Sequence, residues 1–331
     1  MGITLKDVAS RAGVSRSAVS RTFTPGASVS KGMRKKVEQA ADELGYAPSA
    51  LASALSTGRS GLVGLVADNF RNPAFMPIFD QFTKDIQDRG LRPLLVNLSG
   101  QDDPQAAARM LRQYSVDAVI VASSTLPSGF ADAFSGSELP VVHAFGPAHA
   151  SKTLHVTGVD NVALGRLAAK TLAARGYTDV HMLAGPRDAT TTQERLQGFL
   201  DEHQRFTKQT YSYSQSYSHA AGRVEMAGLM AKDTTAEAYF CGDDILAIGA
   251  GAALRQGQLR VPRDVGLLGV NDIEMSAWPE HNLTTIRQPM DKIIAAAVNL
   301  VCEGMAAPGG PCRAKFFDCT VVERGSLRSE D

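Results

Sequence analysis

The chain has 331 residues, of which 44% are apolar and 21% are charged, and its formal net charge is zero. This length favours two or three compact units, and the sequence contains no uncharged apolar run of 18 residues that would predict a membrane span. Four dispersed cysteines and a charged N-terminus predict a reduced, cytoplasmic protein without cofactor or metal.

The net charge of zero hides an uneven distribution along the chain. Residues 1–60 carry nine basic and four acidic side chains, a net charge of +5, so the remaining residues carry −5. A basic segment ahead of an acidic body indicates a polyanionic partner, although a solvated basic surface would have the same charge.

Residues 1–48 are predicted to form three short helices. Thr4 begins a capping pattern, and Gly13 ends the first helix. Ser15 caps a second helix directly after this turn. Two short helices joined by a glycine-containing turn form a helix-turn-helix unit, which binds DNA.

A third helix is predicted to begin at Ser30 and to end at Gly45. Basic residues, Arg34 among them, crowd its first turns. We expect Thr4, Ser15, Ser30 and Arg34, all near helix starts, to contribute to the contact with DNA.

The second helix is expected to read the DNA sequence, because a recognition helix places its N-terminal residues against base edges in the major groove. Its outward residues are Arg16, Ser17, Ser20 and Arg21. Two hydrogen bonds from Arg16 to a guanine would discriminate by about 1–3 kcal/mol. The alternative for either arginine is a phosphate contact that carries no sequence information.

The string ITLKDVASRAGVSRSAVSRTF, residues 3–23, resembles the N-terminal signature of the lactose/galactose repressor family. The resemblance extends to about residue 325 and implies a DNA-binding transcription repressor under the control of a small effector. The family usually has threonine at the position of Ala18, so one phosphate contact is expected to be missing.

Residues 49–60 are predicted to form a hinge helix and linker. An isolated helix of about eight residues is marginal in water, so it should form only when another surface packs against it. The resemblance implies that Ala52 and Leu55 contact DNA, with Leu55 inserted into the minor groove as a wedge. The alternative is a flexible linker whose leucines bury against the body.

Residues 61–331 alternate between short apolar runs and amphipathic stretches, which predicts an α/β fold of parallel sheets with helices on both faces. Strands are predicted at 62–68, 92–98, 117–123, 139–145, 180–185, 236–244 and 264–272, and helices at 75–90, 104–114, 161–177 and 244–256.

The resemblance implies that this body is a two-lobed, periplasmic-binding-protein-like core. The chain would cross between the lobes near residues 157, 287 and 318. The first lobe would then contain about 61–157 and 288–318, and the second about 158–287 and 319–331.

Polar residues follow several predicted strands, at the sheet edge where parallel α/β folds bind ligands. From these positions and the resemblance, the expected effector contacts are Asn69, Phe75, Asp160, Arg195, Tyr217, Asp243 and Asn271. A planar arginine with carboxylates, amides and an aromatic face suits a polyhydroxyl ligand, such as a carbohydrate.

Some of these residues have competing interpretations. Asp160 can instead cap the helix that follows it, and Tyr213 competes with Tyr217 for the aromatic position. Asp244, beside Asp243, is predicted to cap the helix at 244–256 rather than to contact a ligand.

No catalytic constellation stands out, so no enzymatic activity is expected. The predicted mechanism is a homodimer on a pseudo-palindromic operator, in which an effector closes the lobes and shifts the spacing of the two heads. A solute-binding protein and an effector-blind repressor are the alternatives. The basic head argues against the first, and the polar cleft argues against the second.

Overall fold

The computed structural model describes residues 3–24, 26–49, 54, 58–98, 103–123, 133, 139–148 and 153–329. The chain divides into two compact units, Met1–Gly61 and Leu62–Asp331. Ala52 and Leu55, the expected minor-groove contacts, lie outside the described residues.

Among the residues that the structure describes up to Ser49, three helices surround a small apolar core. They are α1 (Leu5–Ala12), α2 (Arg16–Phe23) and α3 (Lys31–Leu44). Val8 from α1, Val19 from α2 and Val37 from α3 are fully buried against one another. The predicted helix-turn-helix head is therefore confirmed.

Glycines end the first and third helices of this unit. Gly13 follows α1 with φ 66°, and Gly45 follows α3 with φ 65°. This left-handed conformation carries no steric penalty for glycine, and it allows the glycine N–H to close the last helical turn.

The second unit alternates strands and helices along its whole length. Its elements are β1 (Leu62–Ala67), α4 (Phe75–Asp88), β2 (Arg92–Asn97), α5 (Pro104–Gln113), β3 (Ala118–Ala122), β4 (Val141–Ala144), β5 (His155–Val159), α6 (Asn161–Ala174), β6 (Asp179–Ala184), α7 (Thr190–Leu200), β7 (Lys208–Tyr213), α8 (His219–Ala231), β8 (Ala238–Cys241), α9 (Asp244–Gln256), β9 (Gly266–Val270), β10 (Thr284–Arg287), α10 (Met290–Ala306), β11 (Ala314–Phe317) and β12 (Thr320–Val322). Short 3₁₀ helices lie at His203–Arg205 and Glu274–Ala277.

The strands form two six-stranded sheets, one in each lobe. The first has the order β2-β1-β3-β4-β5-β11, and the second has the order β7-β6-β8-β9-β10-β12. Neighbouring strands run parallel, apart from the antiparallel pair of β10 and β12. The predicted two-lobed α/β fold is confirmed.

Within the described part of the core, the chain passes between the two sheets three times. It leaves the first sheet after Val159, leaves the second after Arg287, and returns to the second between Phe317 and Thr320. The first crossing lies beyond the expected position near 157, because β5 stays paired with β11 as far as Val159 and Phe317.

Close packing of α6 on α7 positions part of the second lobe. A Cβ atom added to Gly165 would lie 2.1 Å from the Arg195 carbonyl oxygen, and one added to Gly198 would lie 1.9 Å from the Val162 carbonyl oxygen. Both distances are far below contact, so only glycine allows the two helices to approach this closely. The backbone of Arg195 is held against α6 as a result.

None of the helices in the described part of the chain combines the length and the apolar character that a bilayer span requires.

Candidate functional site

The outward face of α2 carries two arginines and two serines. Arg16, Ser17, Ser20 and Arg21 are all exposed. Neither arginine takes part in an ion pair among the described residues of the head. Their guanidinium groups are therefore available to base edges or phosphates.

The other hydroxyl residues expected at the DNA cap the helices. The Ser15 and Ser30 hydroxyls each accept the amide N–H of the residue three positions on, at 3.2 and 3.3 Å. The Thr4 hydroxyl donates to the Asp7 carboxylate at 2.6 Å. All three residues are exposed, so a phosphate contact would add to a capping role that they already have.

Arg34 connects two helices of the head. Its Nη1 donates to the Thr22 carbonyl oxygen at 2.8 Å and lies 3.7 Å from Glu38. The guanidinium thus binds the C-terminal end of α2 from α3. Arg34 supports the orientation of the reading helix, a role that the sequence did not indicate.

A cleft lies between the two lobes, at the carboxyl ends of strands from both sheets. Its polar lining residues are Asn69, Asn72, Asn161, Thr191, Arg195, Tyr217, Asp243, Asn271 and Gln288, and its apolar ones are Ala74, Phe75, Ile78, Phe145, Val159 and Met290. The cavity between these side chains has a volume of about 30 Å³, enough for ordered water.

Arg195 is the cation of this cleft and is 4% exposed. Its Nε donates to Asn161 Oδ1 at 2.9 Å, and its Nη1 donates to the Gly242 carbonyl oxygen at 2.7 Å. A guanidinium has five N–H donors, so these two bonds leave donors for a further acceptor. Arg195 is thus both anchored and able to bind a ligand oxygen.

Asp243 is the carboxylate of this cleft and is 3% exposed. Its Oδ1 accepts the Ile245 amide N–H at 2.9 Å and caps α9. Its Oδ2 accepts the side-chain amides of Asn72 at 2.8 Å and Asn271 at 2.9 Å. Burial raises the pKa of Asp243 to about 6, so the carboxylate depends on these donors.

The prediction that Asp244 caps α9 is wrong, because Asp243 is the cap. Asp244 is fully buried and accepts the Thr285 hydroxyl at 2.6 Å and the Ile273 N–H at 2.9 Å. Burial and the neighbouring charge of Asp243 raise the pKa of Asp244 to about 7. Asp244 therefore stabilises the packing of α9 against the second sheet, behind the cleft.

Every expected effector residue except Asp160 lines the cleft. Asp160 is exposed, and its Oδ1 accepts the Ala163 N–H at 2.9 Å as the cap of α6. Its assignment to the cleft is corrected: the preceding strand ends so that the next residue, Asn161, lines the cleft instead.

The structure also separates the two candidate tyrosines. Tyr217 is 4% exposed, lines the cleft, and has its hydroxyl 2.7 Å from Thr192 Oγ1. Tyr213 lies at the end of β7, where the guanidinium of Arg187 stands 5.7 Å from its ring centre.

Four polar cleft residues were missed from the sequence: Asn72, Asn161, Thr191 and Gln288. Asn161 directly follows the predicted Asp160, and Asn72 lies in the same loop as Asn69. Both would have been found if every polar residue in the loop after a strand had been taken as a candidate. Gln288 had no such signal, because its position follows from the second crossing between lobes.

Asn69 has an unusual environment at the end of β1. Its backbone is left-handed, with φ 55°, and its Nδ2 is buried without a hydrogen-bond partner among the described residues. A buried donor without a partner is costly, so a ligand oxygen at this point would be stabilising. Within the same residues, no three His, Cys, Asp or Glu side chains group together as a metal site would require.

Comparison with known proteins places the chain in a family. Residues 4–49 match the bacterial regulatory proteins of the lacI family, and residues 169–327 match a periplasmic binding protein-like domain. The chain is 31% identical to the HTH-type transcriptional repressor PurR of Proteus mirabilis (strain HI4320) over 331 residues, which cover 98% of this chain and 96% of the relative. It is 30% identical to the ribose operon repressor of Escherichia coli (strain K12) over 332 residues, which cover 98% and 99%.

Solved structures show the same fold. The Lac repressor dimer bound to operator and the anti-inducer ONPF superposes with a TM-score of 0.85 at 21% identity, over 99% of this chain and 100% of that chain. The chain therefore belongs to the lacI family of bacterial regulatory proteins and is a DNA-binding transcriptional repressor.

Proposed function

We propose that this repressor binds a pseudo-palindromic operator as a cytoplasmic homodimer, and that a small polar effector between the core lobes controls its affinity for DNA. The observation that carries this proposal is the cleft in which Arg195 and Asp243 converge with amides from both lobes. The chain acts by binding and has no catalytic role.

The DNA-binding half of the proposal rests on α2. Arg16 and Arg21 read bases or hold phosphates, and Ser17 and Ser20 contact the groove beside them. Thr4, Ser15 and Ser30 add phosphate contacts at the helix starts, while Arg34 orients α2 from behind. Contact of Ala52 and Leu55 with the minor groove stays a prediction.

The effector-binding half rests on the balance of donors and acceptors in the cleft. Arg195 and Asn69 offer donors to ligand oxygens, and Asp243 accepts from ligand hydroxyl groups. Phe75 and Tyr217 supply apolar and aromatic surface from opposite lobes. These features favour a polyhydroxyl ligand of the carbohydrate class, and one relative is a ribose operon repressor.

Control of DNA binding requires that the effector favour one arrangement of the lobes. Moving a two-state equilibrium from about 1:99 to 99:1 needs a difference in binding free energy of roughly 5.5 kcal/mol. Several hydrogen bonds donated by a buried arginine and accepted by a buried carboxylate are of the right order to provide this difference.

Selection of duplexes from a random pool, followed by fluorescence anisotropy at several salt concentrations, tests the DNA-binding half. We expect a preferred near-palindromic sequence and an affinity that falls steeply with salt. Calorimetry against D-ribose, other pentoses, hexoses and disaccharides tests the effector half. A protein that prefers no duplex, with or without these sugars, would contradict the proposal.

Two variants test the DNA-binding half and the effector-binding half of the proposal separately. Arg16→Ala should lose discrimination among duplexes and keep its sugar affinity. Arg195→Ala should lose the sugar response and keep its preferred duplex. If both variants lost both properties, the assignment of separate sites would be wrong.

A further inference from the structure

A hydrogen bond between Asn72 and Asp243 joins the lobes inside the cleft. Asn72 lies between β1 and α4 in the first lobe, and Asp243 caps α9 in the second. Asn72 Nδ2 donates to Asp243 Oδ2 at 2.8 Å, and the two residues are 2% and 3% exposed. The contact is therefore shielded from water on both sides.

This bond is the first link of a longer chain of side chains. Asp243 Oδ2 also accepts from Asn271 Nδ2 at 2.9 Å, and Asn271 Oδ1 accepts from Gln288 Nε2 at 2.6 Å. Gln288 lies between β10 and α10, in the second crossing. These hydrogen bonds thus connect the first lobe, through side chains of the second lobe, to a segment that links the two lobes.

The orientation of the Asn72 amide is set locally. Its Oδ1 accepts the Ala74 amide N–H at 3.0 Å, so its NH₂ group must be the part that reaches Asp243. Asp243 and Arg195 are the charged residues that line the cleft, and Asp244 lies behind Asp243 on α9. Asn72 is therefore the donor that the first lobe offers to the carboxylate.

The bond lies in the lining of the cleft. Asn72, Asp243, Arg195 and Asn271 surround the same cavity. A ligand that places a donor at Asp243 Oδ2 therefore competes with the Asn72 amide for that oxygen. Release of Asn72 removes this contact between the lobes.

We propose that Asn72 is a positioning residue that latches the two lobes through Asp243, and that an effector enters by exchanging its own N–H or O–H donor for the Asn72 amide. The inference rests on the proposed function and concerns its regulation. It favours ligands that carry donors, since a ligand with acceptors alone would leave the buried Asp243 carboxylate with one donor fewer.

Substitutions in the full-length protein test the hydrogen bond between Asn72 and Asp243. Asn72→Ala removes the donor. Asn72→Asp keeps an acceptor for the Ala74 N–H and places a second carboxylate against Asp243. The double variant Asn72→Asp with Asp243→Asn restores a donor and an acceptor in the reverse direction. Arg71→Ala, an exposed change in the same loop, is the matched control.

Small-angle scattering measures whether the lobes part, and hydrogen exchange at the Ile245 amide reports on the Asp243 cap. We expect a larger radius of gyration and at least about tenfold faster exchange in Asn72→Ala and Asn72→Asp. The double variant should return toward the wild-type values, and Arg71→Ala should match the wild type. Far-UV circular dichroism checks that each variant is folded.

A residue with a purely structural role would lower the unfolding temperature without opening the lobes, and the double variant would be no better than either single change. Unchanged scattering and exchange in Asn72→Ala, or failure of the double variant to close again, overturns the latch. Either result would leave selection of a preferred duplex intact, so it is distinguishable from failure of the proposed function.

Discussion

Arg324 donates to Asp272 at 2.6 Å, and this pair joins the segment after β12 to the segment after β9. The same carboxylate binds Arg287 Nη2 at 2.6 Å. Arg287 ends β10 directly before the second crossing. Asp272 is adjacent to the cleft residue Asn271, so one carboxylate connects the cleft loop to the end of β10 and to the segment after β12.

Neutralising Asp272 should therefore weaken both stability and effector response. Asp272→Asn keeps one acceptor but leaves Arg324, which is 15% exposed, without its carboxylate. We expect a loss of about 1–3 kcal/mol in the free energy of unfolding and a smaller effector-induced change in operator affinity. Urea denaturation and anisotropy measure the two quantities.

The exposed pair of Asp80 and Lys84 supplies a control for this prediction. Asp80→Asn should change stability little, since solvent screens exposed ion pairs. Equal effects of the two substitutions would show that Asp272 does not couple the cleft to the end of β10 and the segment after β12.

Close packing of α6 on α7 predicts a strong effect of one methyl group. Gly165→Ala would push its Cβ against the Arg195 carbonyl oxygen and force α7 to shift. We expect a loss of about 1–3 kcal/mol or more in the free energy of unfolding and weaker effector binding, with the preferred duplex unchanged. Denaturation and calorimetry provide the test.

Gly228 on α8 offers a matched glycine without this constraint. A Cβ added there meets no atom within 4 Å, so Gly228→Ala should be neutral or should stabilise the helix by up to about 1 kcal/mol. If both alanine variants had the same stability, the packing argument would fail.

The Arg16 side chain should contribute to sequence discrimination rather than to general affinity. Arg16→Ala is expected to lose about 1–3 kcal/mol on the preferred duplex and to become indifferent to the base pair that Arg16 contacts. Affinities for a series of duplexes with single base changes measure this. Lys36→Ala, on the exposed side of α3, is the control. A uniform loss on all duplexes would instead indicate a phosphate contact.

Asp244 should make the stability fall as the pH rises toward neutrality. Its pKa is raised from 3.8 to about 7 in the folded chain, so the folded state binds the proton more tightly than the unfolded state. This contribution is fully present below the unfolded pKa of about 3.8 and is lost as the pH rises through the folded pKa of about 7. The contribution of Asp244 to the free energy of unfolding should therefore fall between about pH 4 and pH 7 and level off above about pH 8.

Asp244→Asn should flatten this slope, which urea denaturation at several pH values would show. His155, His181 and His281 have pKa values lowered mainly by burial, and they act in the opposite direction at pH values below about 6.5. Asp243, whose pKa is about 6, acts in the same direction as Asp244, so the difference between the profiles of Asp244→Asn and the wild type assigns the slope. Parallel pH profiles for the variant and the wild type would contradict the assignment.

Local determinants were readable directly from the sequence. Ser15 and Ser30 cap their helices, and Gly13 and Gly45 end theirs, because each of these interactions involves residues within about one helical turn. The alternation of strands and helices followed from hydrophobic patterning, which is also a local property. The motif in residues 3–23 then indicated the family.

Tertiary structure decided which residues meet in the cleft. Asn72 and Asp243 are 171 positions apart. No local sequence pattern predicts their contact, because it forms only when the two lobes pack against each other. Side-chain direction at a strand end depends on how the following helix begins. For this reason Asn161 rather than Asp160 lines the cleft. For the same reason Asp243 rather than Asp244 caps α9. Local chemistry therefore determined the elements of this repressor, and long-range packing determined the geometry of its effector site.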